Sequence, residues 1–287
     1  PLGGGLLRTI GKAALLQPLL SQVGLHRARL AYTTGRRLDP AVLGFFHSLG
    51  LPLRQLYSAN EAAGAIAAQQ DAAAPIDSVG AALPGVTVKI APDGEIWVAG
   101  PNICVGYDKA DQASAGALHT DEQGVRWFRT GDSGRYEAGQ LWFHDRQADL
   151  IAQNGGPALA PQSIEGALKW SPFITQALVF TDQDQARIGA LIVVDANRTG
   201  RWAVEQGMSF AGAAELASLP EVGALIHAEI GRINTTLPEA ARVRRFALMP
   251  LAWTADAGEL TRTYKLRRRV IHEHNAAVIA ALWSAQP

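Results

Sequence analysis

A change of pattern near residue 146 is the feature that most constrains the fold of this chain. Before it, β-rich runs alternate with turns: residues 86–90 and 95–98 flank Asp93-Gly94, a dipeptide typical of hairpin turns. After it, helical and strand patterns alternate. A chain of 287 residues can hold two units. We therefore predict a first unit over residues 1–145 and a smaller α+β unit over residues 146–287.

The second unit has a readable order of elements. Pro161 can open a helix, because proline fits the first helical position and would disrupt a later one. The other predicted elements are strands over residues 174–180, 188–194 and 243–249, an amphipathic helix from Pro220 and a closing helix over residues 266–283. This mixture indicates a compact α+β unit of domain size.

The first unit carries a turn-rich segment around Asp132. Residues 126–129 and 141–144 predict short strands, and residues 131–134 (Gly-Asp-Ser-Gly) between them have the composition of a turn. We therefore expect Asp132 on a loop, where binding and catalytic side chains are common.

No part of the sequence predicts a membrane span or a secretion signal. The Leu-rich residues 6–25 are interrupted by Arg8, Lys12 and Pro18 before ~18 apolar residues accumulate, which predicts a buried or amphipathic helix. The start lacks the charged region of a signal peptide, and the lone Cys104 fits a reducing compartment. We predict a cytoplasmic location, and leave peripheral membrane contact and oligomeric state open.

Charge and histidine patterns exclude two other classes. Acidic and basic residues balance at 26 each, so no global field favours nucleic acid. His272 and His274 are two residues apart, and on the predicted helix their rings point to different sides. We therefore predict no nucleic-acid partner and no zinc site.

Several short motifs follow one another in a fixed order. They are residues 57–61 (Tyr-Ser-Ala-Asn-Glu), 94–98 (Gly-Glu-Ile-Trp-Val), 106–107 (Gly-Tyr), 127–132 (Trp-Phe-Arg-Thr-Gly-Asp), 145–149 (Asp-Arg-Gln-Ala-Asp) and 260–268 (Leu-Thr-Arg-Thr-Tyr-Lys-Leu-Arg-Arg). This order resembles the AMP-forming acyl-CoA synthetases of the adenylate-forming superfamily, and the last motif is most similar to bacterial long-chain fatty acid–CoA ligases. The resemblance covers essentially the whole chain. It implies an α/β and α+β fold: the C-terminal part of the large domain, then a small mobile domain.

The resemblance also implies a reaction in two steps. The carboxylate of a fatty acid or another carboxylic acid attacks the α-phosphorus of ATP, giving acyl-AMP and pyrophosphate. The thiol of CoA then displaces AMP. The implied ligands are therefore ATP or AMP, Mg²⁺ and CoA, besides the acid.

Three positions of the first motif receive roles from the resemblance. Tyr57 is expected to stack on adenine, a use that suits a flat amphipathic ring. Glu61 is expected to bind Mg²⁺ and so to serve catalysis, since hard cations prefer carboxylate oxygen. The alternatives are a core tyrosine and a surface glutamate. At Asn60, which contacts phosphate in the implied scheme, an amide replaces the family's usual hydroxyl but can still donate a hydrogen bond.

Asp132 and Arg146 are the implied ribose contacts. A fixed carboxylate can accept from both ribose hydroxyls, so Asp132 suits this role, although turn formation alone would also explain an aspartate there. For Arg146 the alternative is a surface salt bridge with Asp145 or Asp149.

Lys265 is the implied adenylation lysine, whose ammonium would bridge the acyl carboxylate and the α-phosphate. The alternative is a solvated basic helix start shared with neighbouring arginines, of which Arg268 is expected to tolerate substitution. Three glycines receive weaker roles from the same resemblance: Gly35 beside adenine, and Gly155 and Gly156 along the CoA pantetheine path, since glycine permits close backbone approach.

The sequence departs from the family pattern in ways that leave alternatives open. It contains no Ser/Thr/Gly-rich loop ending in Pro-Lys-Gly for the β- and γ-phosphates, so we expect a truncated and inactive piece of a longer enzyme. Ala148 and Ala152 replace residues usual at the hinge and in thioester formation. A second hypothesis is therefore a degenerate nucleotide- or acyl-binding homologue. A third, an adenylation domain that loads a carrier protein, is disfavoured because the chain ends soon after Lys265.

Overall fold

The computed structural model describes residues 17–35, 38, 40–70, 74–153, 156–182 and 187–284. It divides the chain into two compact units, with the boundary between Ala148 and Asp149. Each unit has its own sheets and apolar clusters. The functional roles given above to the two parts of the chain stay predictions.

The first sheet of the first unit places two short strands in parallel. Its four strands lie in the order β1 (Ala31–Thr33), β2 (Leu53–Ala59), β3 (Gly64–Ala68) and β4 (Ala81–Ala82). Helix α1 (Gln17–Gln22) lies in the Leu-rich segment, ahead of this sheet. β1 and β2 are parallel and are connected by helix α2 (Pro40–Ser48), as parallel neighbours require a crossover. The carboxyl ends of β1 and β2 therefore meet at one edge.

The second sheet is antiparallel and carries most of the later motifs. Its strands are β5 (Thr87–Ile90), β6 (Glu95–Ala99), β7 (Leu118–Thr120), β8 (Arg126–Glu137) and β9 (Gln140–Arg146), and helix α3 (Asp111–Ala117) precedes β7. The order is β5-β6-β8-β7, with β9 also paired to β8. The predicted hairpin at Asp93-Gly94 is confirmed, and Gly94 has the positive φ of 85° that its turn needs.

The expected loop around Asp132 is wrong. Asp132 lies inside β8, which continues to Glu137 because it pairs with β6 on one side and β9 on the other. Gly131 takes a φ of 68°, and the pairing register shifts beside it, so the Gly-Asp-Ser-Gly sequence makes an irregularity within a strand. The turn lies later, at Ala138 and Gly139, both with positive φ.

The second unit is a three-stranded sheet covered on both faces. Its elements are hairpin β10 (Ile151–Gln153) and β11 (Gly156–Leu159), strands β12 (Ile174–Thr181), β13 (Ile188–Val194) and β14 (Val243–Leu248), and helices α4 (Pro161–Leu168), α5 (Ala196–Glu205), α6 (Ala213–Ser218), α7 (Pro220–Asn234), α8 (Arg268–His274) and α9 (Ala276–Ser284). β13 is central, antiparallel to β12 and parallel to β14. The three predicted strands and the helices from Pro161 and Pro220 are confirmed.

The continuous apolar sequence of β13 follows from burial on both of its faces. Apolar residues do not alternate with polar ones here: Ile188 and Ile192 join the apolar cluster that contains α4 and α7, whereas Leu191 and Val193 join the cluster that contains Ile271. A strand buried on both faces needs apolar residues at every position. Leu260 and Leu266, on either side of Lys265 in the sequence, pack in the same cluster as Ile271.

The predicted closing helix over residues 266–283 is wrong as one element. It is split into α8 and α9 at Asn275, whose side chain donates to the Ile271 carbonyl at 2.7 Å. Asparagine competes in this way with the backbone bonds that would continue a helix. Within the described ranges, no helix is both long and apolar enough for a membrane crossing.

Candidate active site

Gly35 and the motif of residues 57–61, both expected around adenine, lie at the carboxyl ends of the parallel strands β1 and β2. Thr34 Oγ1 and Ser58 Oγ are 2.7 Å apart, and Gly35 follows with a φ of 82°. Ligands of open α/β sheets bind outside the carboxyl ends of parallel strands. The fold thus brings together residues separated by 24 positions at an edge suited to a ligand.

A buried carboxylate links Tyr57 and Arg146. The Tyr57 hydroxyl donates to Asp132 Oδ2 at 2.6 Å, and Arg146 Nε pairs with Asp132 Oδ1 at 3.2 Å. Asp132 is 8% exposed, whereas the Arg146 side chain is 58% exposed. An ionised carboxylate accepts several hydrogen bonds at once, so Asp132 can hold these partners and still meet hydroxyls of a ligand.

Tyr57 is a core residue as well as a partner of Asp132. Its ring packs in an apolar cluster near Phe143, with centroids 6.0 Å apart. Burial, and then the negative charge of Asp132, raises the pKa of Tyr57 well above its ordinary value. The phenol therefore remains the donor in this pair. Stacking of Tyr57 on adenine stays a prediction.

The position of Asp132 depends on Glu95, which the sequence did not single out. Glu95 Oε1 accepts from the Gly131 backbone N–H at 2.9 Å, and its Oε2 accepts from Trp97 Nε1 at 2.8 Å and Arg129 Nε at 3.1 Å. Glu95 is 5% exposed. The signal was an acidic residue in the otherwise apolar strand pattern of residues 95–98, because a buried charge must find partners.

Glu61 lies just after β2 in a short 3₁₀ turn, Asn60–Ala62, that ends at Ala63 with a φ of 51°. Its carboxylate accepts from the Tyr107 hydroxyl at 2.8 Å. This hydrogen bond is the largest cause that raises the pKa of Tyr107 to about 12. The phenol is therefore protonated and the carboxylate is held in one orientation.

One carboxylate of this kind fits magnesium better than zinc. In the described part of the chain, no group of three or more His, Cys, Asp and Glu side chains could hold a metal ion. Mg²⁺ is commonly bound by one or two carboxylates together with substrate phosphates, and it keeps several waters. Glu61, half-buried and fixed by Tyr107, has the chemistry for such a site.

Lys265 lies on a tight hairpin of the second unit. Leu260 and Leu266 form the bridge at its base, and Leu260 is buried. The Thr261 N–H donates to the Lys265 carbonyl at 2.8 Å, and the Lys265 N–H donates to Thr261 Oγ1 at 3.0 Å. Tyr264 completes the turn with a φ of 59°. The backbone of Lys265 is thereby fixed while its side chain is exposed.

Arg268 does not fit the alternative of a solvated basic helix start. Its Nη1 and Nη2 donate to Glu165 Oε1 and Oε2 at 2.7 and 2.8 Å, and its Nε lies 3.3 Å from Asp149 Oδ2. Glu165 is 0% exposed and also accepts from the Val179 N–H at 3.0 Å. Burial raises the pKa of Glu165, and the positive charge of Arg268 acts in the opposite direction. Arg268 is therefore unsuitable as a mild control, since substitution would leave a buried carboxylate without its main partner.

The remaining predicted positions are placed as follows. Gly156 begins β11 and pairs with Gln153 across the β10–β11 hairpin. Ala152 is exposed on β10. Gly155 lies outside the described residues. The role of Gly156 along a CoA path stays a prediction.

Comparison with known proteins decides the family. The model of the AMP-binding enzyme C-terminal domain matches residues 148–287. The Long-chain-fatty-acid–CoA ligase FadD15 of Mycobacterium bovis is 34% identical over 261 residues, which are 90% of this chain and 42% of that protein. The chain belongs to the AMP-forming, adenylate-forming acyl-CoA synthetase family.

Solved structures with a similar fold agree with the architecture described above. The adenylation domain of a carboxylate reductase from Mycobacterium chelonae superposes with a TM-score of 0.72 at 18% identity, covering 98% of this chain and 45% of that one. O-succinylbenzoate coenzyme A synthetase from Bacillus subtilis, solved with ATP and magnesium ion, gives a TM-score of 0.63 at 21% identity, covering 93% of this chain and 53% of that one. The predicted α/β and α+β fold class is confirmed. The chain spans less than half of the length of the M. bovis relative.

Proposed function

We propose that these residues are part of an ATP-dependent fatty acid–CoA ligase that forms acyl-AMP and then acyl-CoA. The observation that carries the proposal is the Tyr57–Asp132–Arg146 arrangement, a buried and oriented carboxylate beside an exposed guanidinium. The similarity to a long-chain fatty acid–CoA ligase supports the acid and the thiol as substrates. The similarity to a synthetase solved with ATP and magnesium supports the nucleotide and the metal.

In this proposal each residue has a distinct chemical role. Asp132 and Arg146 bind the ribose of ATP or AMP. The Lys265 ammonium stabilises the negative charge on the acyl carboxylate and the α-phosphate as acyl-AMP forms. Asn60 contacts phosphate and Gly35 lies beside adenine. Glu61 is the residue that would hold magnesium, which neutralises charge on the phosphates when bound. We also propose that the unit after Ala148 moves as a body between the two half-reactions.

The first expected result concerns AMP. The 287-residue chain should bind AMP, and Asp132→Asn should weaken this binding by about 10-fold or more, because a charge-assisted hydrogen bond contributes about 1.5–3 kcal/mol. Isothermal titration of both proteins measures the change. Glu137→Gln is the matched control, since its side chain is 73% exposed on the same strand. Equal affinities for AMP in the wild type and Asp132→Asn would contradict the ribose role.

The second expected result concerns catalysis by this chain alone. No phosphate loop of the family type occurs in the sequence, so fatty-acid-dependent exchange of pyrophosphate into ATP should be undetectable. The complete ligase should show exchange. By complete ligase we mean one polypeptide that contains this chain together with the segments of the M. bovis relative that the chain does not match. Detectable exchange by the 287-residue chain would contradict the expected inactivity of this chain alone. A complete ligase that binds AMP without exchange would favour the degenerate binding protein, for which Ala148 and Ala152 are the sequence arguments.

A further inference from the structure

The loop that follows β6 is fastened to Glu61 and its neighbour by three donors. Asn102 Nδ2 donates to the Ala62 carbonyl at 2.8 Å, and the Cys104 N–H donates to the Glu61 carbonyl at 2.8 Å. The Tyr107 hydroxyl donates to Glu61 Oε1 at 2.8 Å. Two of these bonds hold the backbone of the 3₁₀ turn, and the third holds the carboxylate itself. Loop and turn are 46 positions apart at the Tyr107–Glu61 contact, so local sequence does not bring them together.

Tyr107 is fixed at its own backbone. Its N–H donates to Ser114 Oγ at 2.8 Å, and Ser114 Oγ also donates to the Ala110 carbonyl at 3.0 Å in the first turn of α3. Gly106, with a φ of 155°, permits this approach, since a Cβ there would lie 3.0 Å from Ser114 Oγ. Tyr107 is therefore held at two points: its backbone N–H donates to Ser114 in α3, and its hydroxyl donates to the Glu61 carboxylate.

We infer that Tyr107 is a positioning residue that presents the Glu61 carboxylate to the magnesium ion of a bound metal–nucleotide complex. The inference rests on the proposed metal role of Glu61. A glutamate held through one oxygen by a fixed donor keeps its other lone pairs for a cation, and it is oriented before the cation arrives. Groups that orient a metal ligand in this way typically affect metal affinity 10–100-fold.

A purely structural role for Tyr107 would give a different experimental result. If the hydroxyl only anchored the loop, its removal would lower the stability of the whole unit and disturb the AMP site together with the metal site. If it positions Glu61, its removal should weaken metal binding selectively. Tyr107→Phe keeps the ring and removes only the hydroxyl. Tyr136→Phe is the matched control, because Tyr136 and Tyr107 are 37% and 38% exposed.

The experiment measures Mn²⁺ binding to the 287-residue chain saturated with α,β-methylene-ATP, by electron paramagnetic resonance of free Mn²⁺. Tyr107→Phe should weaken Mn²⁺ binding by about 10-fold, with AMP affinity in the absence of metal and the urea midpoint unchanged. Tyr136→Phe should match the wild type. Glu61→Gln should weaken Mn²⁺ binding at least as much as Tyr107→Phe.

The outcomes separate the inference from its premise. Wild-type Mn²⁺ affinity in Tyr107→Phe, together with weakened binding in Glu61→Gln, would overturn the positioning role alone. A parallel loss of Mn²⁺ binding, AMP binding and stability in Tyr107→Phe would also overturn it, in favour of a structural role. Unchanged Mn²⁺ binding in Glu61→Gln, or no Mn²⁺ bound beyond that of the nucleotide alone, would overturn the metal role of Glu61 and the inference with it.

Discussion

Lys265→Ala in the complete ligase is expected to lower kcat for acyl-AMP formation by at least ~10²-fold, with little change in ATP affinity. An ammonium that meets the carboxylate and α-phosphate as the new bond forms contributes mainly to the transition state. The hairpin fixes the Lys265 backbone through Thr261, so the substitution should leave the loop folded. Pyrophosphate exchange measures the adenylation step, and thioester formation from supplied acyl-AMP should be affected much less.

Arg269→Ala is the appropriate control for this lysine. Its side chain is 86% exposed and makes a long pair with Glu273 at 3.7 Å, which contributes little at the surface. Arg268 cannot serve, because its guanidinium is engaged with buried Glu165. Equal losses from Lys265→Ala and Arg269→Ala, or equal losses in both half-reactions, would show that the basic cluster is structural.

The order of short motifs was enough to predict the family, and local patterns were enough for many elements. Asp93-Gly94, Pro161 and Pro220 each act within a few residues of the turn or helix start that they specify. Such signals survive in the sequence because their energetics are local. The apolar run of residues 188–194 likewise predicted strand β13, and the structure adds that this strand is buried on both faces.

What the sequence could not predict are the partners of buried charges. Glu95 and the Gly131 N–H are 36 positions apart, and Arg268 and Glu165 are 103 apart. Nothing local distinguishes Arg268 from Arg269, and only the long-range contact with Glu165 leaves the first side chain 17% exposed while the second is 86% exposed. The loop expected at Asp132 failed for a related reason, since pairing with two neighbouring strands overrode a local turn composition.

Glu165→Ala is expected to be the most destabilising of the substitutions considered, lowering the free energy of unfolding by about 3–5 kcal/mol. Glu165 is 0% exposed and accepts from both terminal guanidinium nitrogens of Arg268, so its removal leaves a largely buried cation with a weakened set of partners. The Val179 N–H loses its acceptor as well. Urea unfolding of the 287-residue chain, followed by a signal from the second unit, measures the change.

Two further variants decide whether the loss comes from the broken pair or from the cavity. Glu273→Ala removes an exposed pair on α8 and should cost about 0–1 kcal/mol. The double variant Glu165→Leu with Arg268→Met replaces both charges by apolar groups of similar size, and it should regain much of the stability, because no uncompensated charge remains. A double variant as unstable as Glu165→Ala would contradict this explanation.

Because Arg268 is three residues from Lys265, the double variant in the complete ligase also tests whether the Glu165–Arg268 pair orients the lysine hairpin. Restored stability with lost adenylation would support an orienting role for the pair.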